Sequence, residues 1–322
     1  MHSPGNFETL AEVNRSWPKV LSTLMSREEA QCIAAELDPP FSILGAESQR
    51  APVIFNSPHS GRVYPSVFLK ASRLSPQALR KSEDAYVEEL LAAAPGHGAV
   101  LMHAHFPRAY IDINREPYEL DPLLFNGRLP EFVNSQSLRA IGGLGTIARI
   151  VNDKEEIYSG PLQLETAFTR IERLYKPYHT ALDSLLQVTR AQFGTAFLLD
   201  CHSMPSQQGE RGGWPDFVLG DRFGVSCAPE ITRLVQTLLK NLGYRVLLNK
   251  PYAGGYITEN YGKPVQGVHV LQIEIDRSLY MNEETFERSP SFSGLQRDMS
   301  RLIGMLVHEL PRWTGDYKIA AE

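Results

Sequence analysis

The chain has 322 residues, 43% hydrophobic and 21% charged, with a formal net charge of −5. No apolar run approaches the ~18 residues of a membrane span, and the basic residues are scattered, so neither a membrane nor nucleic acid is expected as a partner. The three cysteines, Cys32, Cys201 and Cys227, are too few and too widely spaced for a full disulfide framework, and the amino terminus has neither a basic leader nor an apolar core, so a reducing cytoplasm is expected.

The first forty or so residues are mixed and end at Asp38-Pro39-Pro40, read as a connector between an N-terminal extension (1–45) and a core of about 50–282 within a single domain. Short apolar runs predict strands at 51–56, 99–104, 109–113, 195–200, 216–219, 244–249 and 268–275. Apolar residues at spacings of three and four predict helices at 76–93, 164–193, 226–242 and 283–309. Strands alternating with helices imply an α/β fold with a largely parallel sheet covered on both faces. The stretch 117–145 fits neither period and holds Asn126-Gly127 and Gly142-Gly143, so it is read as a long loop beside the site.

Two of the apolar runs end in His-Ser: Ile54-Phe55-Asn56-Ser57-Pro58-His59-Ser60 and Phe197-Leu198-Leu199-Asp200-Cys201-His202-Ser203. Both histidines then fall just past the carboxyl end of a strand, the edge where open α/β sheets bind ligands. Two imidazoles and a carboxylate at one rim suit a catalytic metal, and Asp200 could orient the His202 ring from behind. The acidic ligand is sought in Ser82-Glu83-Asp84-Ala85-Tyr86, where Asp84 is the candidate and Glu83 its rival; the competing account leaves both on a solvated helix face. Glu274 interrupts Val268-His269-Val270-Leu271-Gln272-Ile273-Glu274-Ile275, where an unpaired buried carboxylate would cost several kcal/mol. It is either a general base beside a metal-activated water or a structural partner of Arg277 or another arginine. In Arg108-Ala109-Tyr110-Ile111-Asp112-Ile113-Asn114-Arg115 the even positions would share one strand face, and the guanidinium groups could grip a carboxylate or a developing oxyanion.

Three motifs are set aside. Gly143-Leu144-Gly145-Thr146-Ile147-Ala148 has dinucleotide-loop spacing but follows a polar stretch that makes a poor strand. His103-Ala104-His105 lacks accompanying ligands at later strand ends, and there is no G-x-S-x-G elbow.

Taken together, the blocks NSPHSG (56–61), SEDAY (82–86), FPRAYIDINRE (106–116), GLGTIAR (143–149), KPYH (176–179), LDCHSMP (199–205), NKPYAGG (249–255) and LQIEIDRSLY (271–280) resemble the N-formylglutamate amidohydrolase family from about Pro52 to Tyr280. The resemblance implies a three-layer α/β/α sandwich on a mixed sheet, phosphorylase/hydrolase-like and similar to the zinc carboxypeptidases, with a Zn2+ cofactor. Carried over, His59, Asp84 and His202 look like the zinc ligands and Glu274 like the water-activating glutamate. Arg108, Asn114 and Arg115 resemble the groups that hold the substrate carboxylate or polarise its carbonyl, and Arg149 resembles a further carboxylate anchor. Arg62 stands where the carboxypeptidase pattern His-x-x-Glu would place its acidic ligand. The implied reaction is hydrolysis of N-formyl-L-glutamate, a small anionic N-acyl amino acid, in histidine degradation. The alternatives are an amidohydrolase for another N-acyl amino acid and a metal-containing protein that binds such a metabolite without cleaving it.

Overall fold

A computed structural model of the chain describes residues 25–151, 155–207 and 213–314. Seven strands form one sheet: β1 (Phe41–Leu44), β2 (Val53–Ser57), β3 (Val100–Ala104), β4 (Ala196–Met204), β5 (Phe217–Gly220), β6 (Val246–Leu248) and β7 (Val268–Asp276), in the order β1-β3-β2-β4-β7-β5-β6. The four inner strands β3, β2, β4 and β7 run parallel, whereas β1 joins β3 and β5 joins β7 antiparallel, with β6 following β5. The sheet is therefore mixed.

Side chains alternate across a strand, and here the alternation divides two cores. Ile54, Leu198 and Val270 face one layer, containing α1 (Arg27–Glu36), α2 (Leu164–Arg170) and α3 (Lys176–Phe193). Phe55, Leu199 and Ile273 face the other, containing α4 (Pro229–Asn241) and α5 (Phe292–Glu309). Burial on both faces is why these strands are continuous apolar runs. The result is a three-layer α/β/α sandwich, and no helix among the described residues is long and apolar enough to cross a membrane.

The helix expected at 164–193 is interrupted by a π turn, Ile171–Tyr175. Pro177 follows in the first turn of α3; its nitrogen has no proton for the Arg173 carbonyl and its ring crowds that position, so the helix widens there. Just before the π turn, buried Arg170 pairs with Glu29 of α1 at 2.6 Å and donates to the Tyr158 hydroxyl at 2.7 Å and the Tyr110 carbonyl at 3.1 Å. Its guanidinium lies 4.0 Å from the Tyr110 ring centroid, and the Tyr110 hydroxyl donates to Glu29 as well. This cluster fastens α1 to the body of the fold.

Three expectations are corrected. Residues 109–113 are not a strand: Pro107 opens a turn in which Tyr110 N–H bonds the Pro107 carbonyl, and Ala109 to Ile113 are all buried, so their alternation does not mark two faces. The helix expected at 76–93 breaks into Pro76–Leu79, a 3-10 turn Arg80–Ser82 and Val87–Leu90. Glu83 is extended and Tyr86 has φ 66°, a left-handed conformation that an uninterrupted helix excludes. The last helix starts at Phe292 instead of 283. One strand, β1, goes unforeseen because it is four residues long, only half-buried and preceded by two prolines.

The stretch 117–145 is mostly irregular, with a 3-10 turn Pro122–Leu124 and a short helix Leu138–Ile141. Its end crosses an earlier part of itself: at Gly145 a Cβ would lie 2.1 Å from the Glu119 carbonyl oxygen. Thr146 N–H donates to that same carbonyl at 2.8 Å.

Candidate metal centre and active site

The central strands set the site by register. In the parallel pair β4 and β7, Asp200 lies opposite Gln272 and His202 opposite Glu274, while β2 places Asn56 opposite Asp200. These positions share the sheet face that Ile54, Leu198 and Val270 turn toward α2 and α3. His59 follows two residues after β2. Asp84 arrives from the broken helix, its N–H donating to the His59 carbonyl at 3.0 Å.

His59, Asp84 and His202 are all buried, and one ligand atom from each lies within 4.8 Å of the others. Asp84 Oδ2 is 3.0 Å from His202 Nδ1 and 3.5 Å from His59 Nδ1. The far nitrogens are held by carboxylates: His59 Nε2 is 2.8 Å from Asp112 Oδ1, and His202 Nε2 is 3.0 Å from Asp200 Oδ2. Both imidazoles thus turn Nδ1 inward and anchor Nε2 outward, the arrangement that orients metal-bound histidines. His59 Nδ1 is buried with no hydrogen-bond partner, a costly vacancy for a polar atom unless a cation takes its lone pair. These residues fit a divalent metal with nitrogen and oxygen preferences, zinc among them.

The electrostatics agree. Burial opposes ionisation of Asp84, yet the hydrogen bond from His202 and the nearness of His59 hold its carboxyl well below the usual range. Burial alone would lower His202, but Asp200 and Asp84 on either side raise it well above an ordinary histidine. Asp84 is thus held as an anion between two imidazoles, the form in which a carboxylate ligates a cation.

Glu83, the rival to Asp84, points elsewhere. It accepts from the Tyr64 hydroxyl at 2.6 Å and pairs with Arg80 at 3.1 Å. Arg277 does not pair with Glu274 either: it donates to Ser203 Oγ at 3.0 Å, the Glu83 carbonyl at 2.7 Å and Asp84 Oδ1 at 3.3 Å. It holds the acidic loop against the end of β4, a role unseen in the sequence because the pairing spans 193 positions. Glu274, 7% exposed, accepts from Gln272 Nε2 at 2.8 Å. Burial pushes its carboxyl up to about 7, with Asp84 and Asp200 adding to the rise and His202 and Arg108 opposing it. That value suits an acid–base group at neutral pH.

Of the arginines, Arg108 is the one half-open to solvent, its side chain 31% exposed and paired with Asp112 at 2.9 Å. Together with Asp112, Ser82, Leu144 and Ala148 it lines a cavity of about 80 Å³. Arg115 is more enclosed, 3.5 Å from Asp112 and donating to the Leu144 and Asn114 carbonyls. The Asn114 amide nitrogen is 3.3 Å from His202 Nε2, and its oxygen accepts from Ile257 N–H at 2.8 Å. Arg149 already has two carboxylates, Asp121 at 2.6 Å and Glu156 at 3.3 Å. Asp112, in sequence only one of the even positions of the 108–115 run, is the shared partner of His59, Arg108 and Arg115. His103 and His105 stay outside the cluster; His105 bonds Ser42 on the β1 edge. A larger surface cavity, about 580 Å³ and lined by Tyr244, Leu279, Leu295 and Asp298, contains none of these residues.

The chain is matched over residues 51–281 by the family model for N-formylglutamate amidohydrolase. It is 29% identical over 248 residues to an N-formylglutamate deformylase of Pseudomonas aeruginosa and 30% identical over 250 residues to one of Pseudomonas putida, covering 75% of this chain and 86% of the relative in each case. The crystal structure of an N-formylglutamate amidohydrolase from Ralstonia eutropha JMP134 superposes with a TM-score of 0.80 at 37% identity, over 85% of this chain and 99% of that one.

Proposed function

The chain belongs to the N-formylglutamate amidohydrolase family, and from that premise we propose that it is a zinc-dependent enzyme hydrolysing N-formyl-L-glutamate to formate and L-glutamate, the step that ends one route of histidine breakdown. The observation that carries the reading is the buried set His59, Asp84 and His202 with Glu274 directly across the strand pair from His202. Those three side chains would hold the metal, which when bound lowers the pKa of water towards ~7 and polarises a carbonyl.

Glu274 takes a proton from the attacking water as its oxygen adds to the formyl carbon. Arg108, open to the cavity, faces the oxyanion that develops on the former carbonyl. Glu274 then delivers its proton to the amide nitrogen, the C–N bond breaks, and formate and the free amine leave. Asp112 keeps His59 and Arg108 in place through one carboxylate, so ligand and oxyanion group are set by the same buried charge.

The test is formate release from N-formyl-L-glutamate by zinc-loaded protein beside a chelator-stripped sample. Release that is lost on stripping and restored by zinc is expected; equal release in both samples would remove the metal from the mechanism, and none in either would overturn the substrate. The substrate's two carboxylates call for two cationic anchors, and Arg149 is proposed as one, with the substrate displacing the half-exposed Glu156. Arg149→Ala should raise KM for N-formyl-L-glutamate about tenfold or more, as expected for one hydrogen bond to a charged group, and change KM for an N-formyl neutral amino acid much less. Equal losses would place Arg149 outside the side-chain pocket.

A further inference from the structure

Two residues from sequence blocks that the reaction leaves without a role meet behind His202. Asn56, in NSPHSG, and Tyr178, in KPYH, are fully buried, as is Asp200 between them and the histidine. Asn56 Nδ2 is 2.7 Å from Asp200 Oδ1, and the Tyr178 hydroxyl bonds Asn56 Oδ1. Asp200 Oδ2 then meets His202 Nε2 at 3.0 Å.

The direction of every proton in this chain follows from chemistry. A carboxylate only accepts, so the Asn56 atom facing Asp200 must be its NH2 group. The Asn56 oxygen therefore faces Tyr178, and the tyrosine must donate. On the other side, His202 Nε2 must carry the proton that Asp200 accepts. The nearby Asn114 nitrogen, at 3.3 Å, is itself a donor because its amide oxygen already accepts from Ile257 N–H, so it cannot compete for that proton. His202 Nδ1 is then the atom turned to Asp84 Oδ2 at 3.0 Å, donating to it in the metal-free protein and offering its lone pair to a metal that takes that proton's place. Asp200 also differs from its counterpart Asp112: the latter is balanced by two guanidinium groups, whereas the one ion-pair partner of Asp200 among the described residues is His202.

We propose that Tyr178 and Asn56 are positioning residues for the metal centre: by locking Asp200 as an acceptor they fix His202 with Nε2 protonated and Nδ1 turned inward, so a hydroxyl on α3 three hydrogen bonds away tunes metal affinity. The inference rests on the metal reading above. Outer partners of metal-bound histidines typically change affinity by about 10- to 100-fold. The test is zinc affinity by competition with a chromophoric chelator, with thermal stability of the metal-free protein measured alongside. Tyr178→Phe should raise the zinc dissociation constant about tenfold, and Asn56→Leu, close in shape but with no donor, by more. The control is Tyr175→Phe, which removes another buried hydroxyl of the same helical stretch, the one that donates to the Arg115 carbonyl at 2.7 Å; its zinc affinity should match wild type. Unchanged zinc affinity in Tyr178→Phe, or equal weakening by Tyr178→Phe and Tyr175→Phe, would reduce the relay to packing. Wild-type protein that binds no zinc would overturn the metal centre itself and the relay with it.

Discussion

Glu274→Gln should lower kcat for N-formyl-L-glutamate by about 10² or more while leaving zinc content and KM near wild type. Glutamine keeps the shape of the side chain but cannot take a proton from water at neutral pH. The position is buried on the strand opposite His202, so no bulk solvent base can stand in. Zinc content should hold because the Glu274 side chain is not among the inward-facing ligand atoms, and its hydrogen bond runs to Gln272 on its own strand. Steady-state kinetics with metal analysis of the same preparation check both halves. Undiminished turnover would remove Glu274 as the base, and loss of zinc would make it a ligand.

Arg170→Met should destabilise the fold by about 3–5 kcal/mol, read as a shift in the denaturant midpoint, since removing one partner of a buried ion pair leaves the other charged and unpaired. Glu29 is 5% exposed and would be that stranded charge. The Tyr158 hydroxyl and the Tyr110 carbonyl would lose their guanidinium donor at the same time. Adding Glu29→Gln to Arg170→Met should recover part of the loss, because the stranded charge is what makes the single variant costly. A loss below about 1 kcal/mol would mean that α1 is fastened by apolar contacts and not by this pair.

Strands β2, β4 and β7 were legible because burial on both faces leaves an uninterrupted apolar run, and the polar residues that break those runs, His202 and Glu274 among them, stand out against it. The segment around Asp112 misled for a related reason: with every side chain from Ala109 to Ile113 buried, alternation of chemistry carries no information about two faces. The helix at 76–93 misled because apolar spacing persists across the turn at Tyr86, where the chain departs to bring Asp84 to the histidines. The pairings of Asp112 with His59 and of Arg277 with Asp84 were beyond reach, since each joins segments distant in the chain and neither leaves a periodic trace. The same holds for the amide of Gln272, whose relation to Glu274 depends on which side chains the neighbouring strands present.

Gly145 belongs to a glycine spacing that imitates a nucleotide loop, yet its constraint is the crossing over the Glu119 carbonyl, where a Cβ would have 2.1 Å. Every L-residue side chain begins with that atom, so the position is closed to mutation whatever the enzyme hydrolyses. Leu144 and Ala148 on either side of it line the small cavity beside Arg108. The crossing that only glycine permits also fixes Thr146, whose carbonyl accepts from Asp112 N–H at 2.8 Å, so a position far from the chemistry supports the carboxylate shared by His59 and Arg108.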